Sequence, residues 1–342
     1  MVSQFRLEAF GLICNHTKRE IMRHNTLSPY IIIALFLTAL FAPTISANGS
    51  TISSNTTWSG HVALEGNVTI SQGTTLTIAP GTTIDGGDGF TIEVYGSLVV
   101  ESSYFFSSAQ PTAQSSHGQG LWQGLVIKSG GSATITDVEI ENTNVGIKSE
   151  GNLLVDNLTV RDSYLGINNY GTANVNLFHT ESIDYEAIMN TGSLTISSAD
   201  ISNASAGIES TGILEVTNSN FTQIGTAIRA SSGEVTVDDI RLDEVSVGLS
   251  SVAGVKFSAS NIFGNDVSLL VDMANSDDLT ISSVEVSGDN FAKSSQASST
   301  KISDVIFDAT TTGQTPVLQQ SCVGICIVEN VTINDSQRGI SF

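Results

Sequence analysis

Between residues 145 and 260, apolar and polar positions alternate in short runs, and the runs recur at a fixed interval. Gly151, Gly171, Gly192, Gly212, Gly233 and Gly254 stand 20, 21, 20, 21 and 21 residues apart. Four or five residues before each comes a small–apolar pair: Gly146-Ile147, Gly166-Ile167, Ala187-Ile188, Gly207-Ile208, Ala227-Ile228 and Gly248-Leu249. Two and four residues after each glycine come apolar positions: Leu153 and Val155, Ala173 and Val175, Leu194 and Ile196, Leu214 and Val216, Val235 and Val237. In the sixth unit this pair slips by one, to Val255 and Phe257. A third set follows at Leu158 and Val160, Phe178, Ala199 and Ile201, Phe221, and Ile240 and Leu242.

Alternation with a period of two makes each run a strand with one face inward. A repeat of this length signals a solenoid. Three runs per unit make each unit one coil of a parallel β-helix, right-handed because parallel crossovers take that hand. The fold class is therefore all-β: a right-handed parallel β-solenoid with three short strands and about 20–21 residues per coil. Coils stack at roughly 4.8 Å, which places Val155, Val175, Ile196 and Val216 in one inward column. The recurring glycine reads as a corner residue free to take positive φ. The Gly or Ala before each Ile reads as room at a tight bend. One coil cannot bury its apolar face alone, so stability has to come from stacking.

The alternation extends upstream through "NVTISQGTTLTIAPGTTIDGGDGFTIEVYGSLVV", with longer turns, and resumes at "GLWQGLVIKSG" after a Ser/Gln/Pro-rich insertion at about 107–120. After residue 255 the period blurs, and "LTISSVEVSG", "TKISDVIFD" and "CIVENVTIND" read as coils separated by insertions. The sequence stops soon after Gly339-Ile340, in mid-coil, which reads either as a truncated record or as an end covered by a partner, such as another surface protein.

The upstream pattern "TTLTIAPGTTI", then "GSLVV", then "WQGL", resembles the opening coils of extracellular right-handed β-helix proteins of the pectate-lyase-like group, loosely over residues 58–342. That group includes polysaccharide lyases, glycoside hydrolases, adhesins and surface-layer proteins, so the resemblance implies a fold and leaves function open. Its hydrolases carry Asn-Thr-Asp, Asp-Asp and Gly-His-Gly on successive coils. Neither Asn-Thr-Asp nor Gly-His-Gly is present here, while Asp238-Asp239 supplies an Asp-Asp. Its lyases hold Ca²⁺ with several carboxylates beside an Arg or Lys base. Asp156, Asp162, Arg161, Asp238 and Arg241 come nearest to such a set, yet the two arginines lie four coils apart, roughly 19 Å at the stacking distance. No catalytic residue is assigned.

Composition adds a compartment. Tyr30–Ala42 is an uncharged apolar run preceded by Arg6, Lys18, Arg19 and Arg23 and followed by Ile45-Ser46-Ala47. This is the core of a signal peptide covering 1–47, with Met22 an alternative start, and is short for a membrane span; an uncleaved anchor is the alternative. Residues 48–65 then form a lead-in or cap, and 66–342 the solenoid. The whole chain has a net charge of −21, and residues beyond 47 hold 9 Lys+Arg against 32 Asp+Glu. A surface this acidic repels nucleic acid and anionic lipid, so neither is expected as a partner. Cys322 and Cys326, the two cysteines beyond the leader, read as a small disulfide loop. Eight Asn-x-Ser/Thr sequons stand at Asn48, Asn55, Asn67, Asn157, Asn203, Asn220, Asn330 and Asn334, as on a glycosylated outer surface.

Two features carry candidate chemistry. Tyr164 and Tyr185 each precede their small–Ile pair by two residues, which puts them in one column on adjacent coils, with Asp184, Glu186 and Tyr170 near in sequence. Stacked tyrosines beside a carboxylate hold a sugar face and its hydroxyls; the same arrangement also serves as a plain surface ladder. "DGGDG" at 85–89 reads as Asp85 and Asp88 around a Ca²⁺ ion, without the full spacing of a calcium loop, and equally reads as a turn. No cofactor is otherwise expected. The reading is an exported cell-surface structural or adhesive module that contacts carbohydrate, with a polysaccharide lyase or glycoside hydrolase as the alternative.

Overall fold

In the computed structural model, residues 44–108, 122–252, 254–274, 278–310, 318–336 and 339–341 are described. The apolar leader core and most of the insertion at 107–120 lie outside them. Residues 45–342 form one compact unit. It is a parallel β-solenoid of about 11 turns with about 21 residues per turn, 78% strand, without a helix among the described residues.

The inward columns form as the alternation requires. Ile78, Val100, Ile135, Val155, Val175, Ile196, Val216, Val237, Ala259 and Ile281 pair one above another, coil after coil. A second column runs Leu76, Leu98, Ala133, Leu153, Ala173, Leu194, Leu214, Val235, Phe257 and Leu279. All of these side chains are buried. On the next side, two columns share the volume between them. Phe178 is followed within its coil by Thr180, and Phe221 is preceded by Ser219, so each bulky ring is matched by a small neighbour in the adjoining column. The core keeps an even cross-section this way, as close packing demands.

Three expectations are corrected. Gly233 (φ +90°) and Gly254 (φ +62°) take the expected positive φ, but Gly151, Gly171, Gly192 and Gly212 do not. They are needed because the backbones touch. A Cβ on Gly171, Gly192 or Gly212 would sit 2.1, 2.1 and 2.0 Å from the carbonyl oxygen of the glycine one coil below. Two further left-handed corners are filled by polar residues: Asp162, Ser182, Asn203, Gln223 and Glu244 at one, Asn218, Asp239 and Asn261 at the other. Short polar side chains tolerate this conformation by bonding locally.

The slip at the sixth unit also dissolves. Phe257 and Ala259 occupy the two columns, and Val255 is the partner of Gly233, so Gly254 (φ +62°) is an extra turn residue. In the other direction the glycine rank begins earlier, at Gly96 and Gly131, whose following residues Ser97 and Ser132 pair.

Third, the segment expected as a lead-in already belongs to the stack. Thr51–Ile52, Thr56–Trp58 and His61–Leu64 pair in parallel with the coil above. The strand Thr44–Ala47 precedes them, and the Ala47 carbonyl accepts the Glu65 N–H at 3.0 Å. Among the described residues no helix is long and apolar enough to cross a membrane.

A polar rank that the periodicity does not announce runs through the interior. Asn169 Nδ2 donates to Asn190 Oδ1 at 2.8 Å, and Asn190 Nδ2 donates to Ser210 Oγ at 3.0 Å and to the Ile213 carbonyl at 2.9 Å. Burial of these amides is tolerated because their donors find partners.

Candidate functional site

The corner that precedes each small–Ile pair is built the same way from coil to coil. A left-handed residue is followed by a buried one, an outward one and one that is buried or half-buried. The coil carrying Tyr185 departs from this. Ile183 pairs with Ala204 and Glu186 with Ala206, so Asp184 and Tyr185 together face Ser205 alone. This one-residue expansion also accounts for the 21-residue spacing from Gly171 to Gly192, against 20 on either side.

Tyr164 and Tyr185 are brought together as their spacing implies. The Tyr185 N–H donates to the Tyr164 carbonyl at 3.0 Å. The rings lie parallel, 5.3 Å between centroids and 4° between planes. Tyr185 is 41% exposed, and Asp184 is exposed beside it. Tyr170 belongs elsewhere: Lys148 Nζ stands 5.3 Å from its ring centre, and its hydroxyl accepts from Asn168 Nδ2.

Glu186 is the unexpected member. It is only 3% exposed and occupies a corner position held by Ala206 and Thr226 on the coils that follow. Its Oε2 is buried without a hydrogen-bond partner among the described residues. Burial, and after it the Glu209 carboxylate on the next coil, push the Glu186 carboxyl up to about 7. Arg229, one coil further, opposes the shift. Its Nη1 stands 3.7 Å from Glu209 Oε2 and its Nη2 donates to Thr226 Oγ1 at 3.3 Å. The Tyr185 phenol is pushed up in turn, chiefly by Glu186. Met189, Glu209 and Arg229 form one outward column. Glu209 and Arg229 therefore complete a site that sequence neighbours alone do not reveal; their 20-residue spacing is the signal that points to it.

A carboxyl whose folded pKa is raised binds its proton more tightly in the native state. Stability from this group is therefore undiminished below pH about 4.5, falls as pH rises toward 7, and stays reduced above. Glu186→Gln is expected to remove that fall, raising stability near pH 8 by about 1–2 kcal/mol, a figure reduced for solvent at the carboxyl's outer edge. Urea unfolding of both proteins at about pH 5 and pH 8 checks it; an equal difference at the two pH values would contradict the expectation.

The residues nearest to a lyase set do not converge. Arg161 Nη2 lies 2.6 Å from Glu139 Oε1 and 2.8 Å from Glu141 Oε2, and the Tyr104 hydroxyl donates to Glu141. Burial and then Glu141 push that phenol up to about 12. A cavity of about 450 Å³ beside this cluster is lined by Tyr104, Glu139, Asn157 and Thr159. Asp156 accepts from Asn176 Nδ2, Asp238 from Ser260 Oγ and Asn261 Nδ2, and Asp162 is a left-handed corner. Arg241 lies over the Phe263 ring at 5.5 Å, in a cavity of about 480 Å³ that also contains Glu285 and Asp308.

Asp85 is taken up by its own turn and by Ser108 on the next coil. Oδ1 accepts the N–H groups of Gly87 and Ser108, and Oδ2 accepts Ser108 Oγ at 2.6 Å. Burial would raise its pKa, but these donors outweigh it and hold the carboxyl below its usual range. Asp88 is exposed. Among the described residues no three His, Cys, Asp or Glu side chains gather to hold a metal ion.

Cys326 is disulfide-bonded; the Cys322 side chain lies outside those described. Of the sequon asparagines, Asn48, Asn55, Asn67, Asn203, Asn220, Asn330 and Asn334 are exposed and Asn157 is half-buried. Asn157, Asn330 and Asn334 donate Nδ2 to Asp137, Asp304 and Asp308 on the preceding coil. Asn55 and Asn67 accept the N–H groups of Thr75 and Thr91 on Oδ1.

Among solved structures the chain is similar to the A-module of mannuronan C-5 epimerase AlgE6 from Azotobacter vinelandii, at 12% identity over 88% of this chain and 93% of that one, with a TM-score of 0.39. It is also similar to PfbA, a surface adhesin of Streptococcus pneumoniae, at 9% identity over 79% of this chain and 84% of that one, with a TM-score of 0.39. No protein-family model and no curated protein matches it.

Proposed function

We propose that this protein is an exported, glycosylated cell-surface module with a structural or adhesive role, and that it contacts carbohydrate through the Tyr164–Tyr185 platform. The observation that carries the reading is the parallel pair of rings on adjacent coils, edged by Asp184 and by the Glu186–Glu209–Arg229 group. An aromatic face takes up the apolar C–H side of a pyranose, while carboxylates and guanidinium at its border accept from and donate to the hydroxyls. A solenoid supplies a rigid backbone for such a site, and a strongly acidic surface keeps neighbouring modules apart. Arg161, held between two glutamates, supports a structural part for that cluster rather than a base for lyase chemistry.

Binding to a glycan array tests the reading. Tyr164→Ala and Tyr185→Ala are each expected to weaken the recognised glycan by roughly tenfold, the worth of one aromatic stacking contact. Binding that is unchanged in both variants removes this site.

A further inference from the structure

The platform explains the two rings but not the acid behind them. Glu186 is buried, with Oε2 unpartnered, in the one corner of this stretch widened by a residue. The side chain placed to answer it is that of Glu209 on the next coil, in a column that turns back over this corner: Arg229 above it donates to Thr226 Oγ1, and Thr226 stands in one column over Ala206 and Glu186. Arg229 in turn stands against Glu209 from the coil beyond.

We infer that Glu186 and Glu209 share one proton across adjacent coils, and that this pair, together with Asp184, fits the tyrosine platform to uncharged sugars and turns uronates away. The inference rests on the platform reading and names its ligand class. Two carboxylates drawn to one half-dry corner do not both ionise readily; the first proton lost belongs to the pair. The groups facing the pair are the Tyr185 phenol from the same coil, Tyr164 from the coil below, and Arg229 from above, with Asp184 exposed next to Tyr185 in the widened corner. With the proton in place, one negative charge on the pair is matched by Arg229, and Asp184 leaves the surround negative. Loss of that proton as pH passes about 7 adds a further negative charge beside Tyr185. A sugar carboxylate laid on the rings meets this field at short range, where little water screens it. An uncharged pyranose loses nothing by it.

Calorimetric titration of the full chain with a glucose oligosaccharide and with a galacturonate oligosaccharide of equal length, near pH 5.5 and pH 8, decides the matter. The glucose oligomer is expected to bind at both pH values. The galacturonate oligomer is expected to bind about tenfold more weakly near pH 5.5, and the gap to widen by about threefold or more near pH 8. Glu186→Gln is expected to abolish the widening. Galacturonate that binds as tightly as glucose near pH 8, or an identical pH response in wild type and Glu186→Gln, overturns the inference and leaves the platform standing. Binding unchanged in Tyr164→Ala/Tyr185→Ala, or absent for both sugars, overturns the platform and the inference together. Carboxyl-carbon NMR gives a separate reading of the pair: the Glu186 midpoint is expected near neutrality, and to move down in Glu209→Gln. A midpoint that does not move overturns the shared proton.

Discussion

Truncating Phe221 to alanine is expected to destabilise the solenoid by about 3–5 kcal/mol, the usual cost of emptying a buried aromatic site. The ring is fully buried, between Ile201 on the coil below and Leu242 on the coil above. It also crosses the coil to Gly207, where an added Cβ would meet two ring carbons at 2.8 Å. The neighbouring column offers only Ser219 at this level, so nothing bulky stands ready to fall into the space. Denaturant unfolding with the slope held equal measures the loss. A cost near 1 kcal/mol would mean that the adjoining coils collapse onto the cavity and that the pairing of large with small residues is not what fixes the cross-section.

The second large effect is expected at Gly212. Alanine there places a Cβ 2.0 Å from the Gly192 carbonyl oxygen and 2.6 Å from that of Thr191, so two backbones must part. Overpacking on this scale costs about 3 kcal/mol or more. In a stacked array the damage falls on the interface between neighbouring coils, which is where stability resides. Gly73→Ala separates this cause from backbone strain. Gly73 has φ +75° and open space around its missing side chain, so alanine there meets only the left-handed penalty of about 1–2 kcal/mol. Equal losses at the two sites would show that conformation, not contact, makes the glycines recur.

The inward columns could be read from the sequence because burial on one face of a strand enforces a period of two, and stacking enforces a period of one coil. Val155, Val175, Ile196 and Val216 line up for that reason. What the glycines do was not legible, since positive φ and close approach leave the same mark on a sequence. The corners hid for the opposite reason: Asp162, Ser182, Asn203, Gln223 and Glu244 have left-handed backbones in common but no common side chain. Asn169 and Asn190 look like surface residues until their amides are seen to bond to each other inside.

The candidate site was half legible. Tyr164 and Tyr185 share an offset from their small–Ile pairs, and so their column could be drawn. Glu186 could not be placed as a buried acid, because the extra residue at 184–185 shifts it from the outward to the inward side of the corner. Glu209 and Arg229 enter only when the outward columns are followed as carefully as the inward ones.

The widened corner has a consequence for how such a molecule evolves. Whole units of 20 or 21 residues elsewhere in the chain can be duplicated or lost by recombination with little change beyond a longer or shorter rod. The span from Tyr164 to Arg229 is different, because its residues meet only across consecutive layers in this order. Reach and recognition are thus written in separate parts of the sequence, and selection can lengthen the one without disturbing the other.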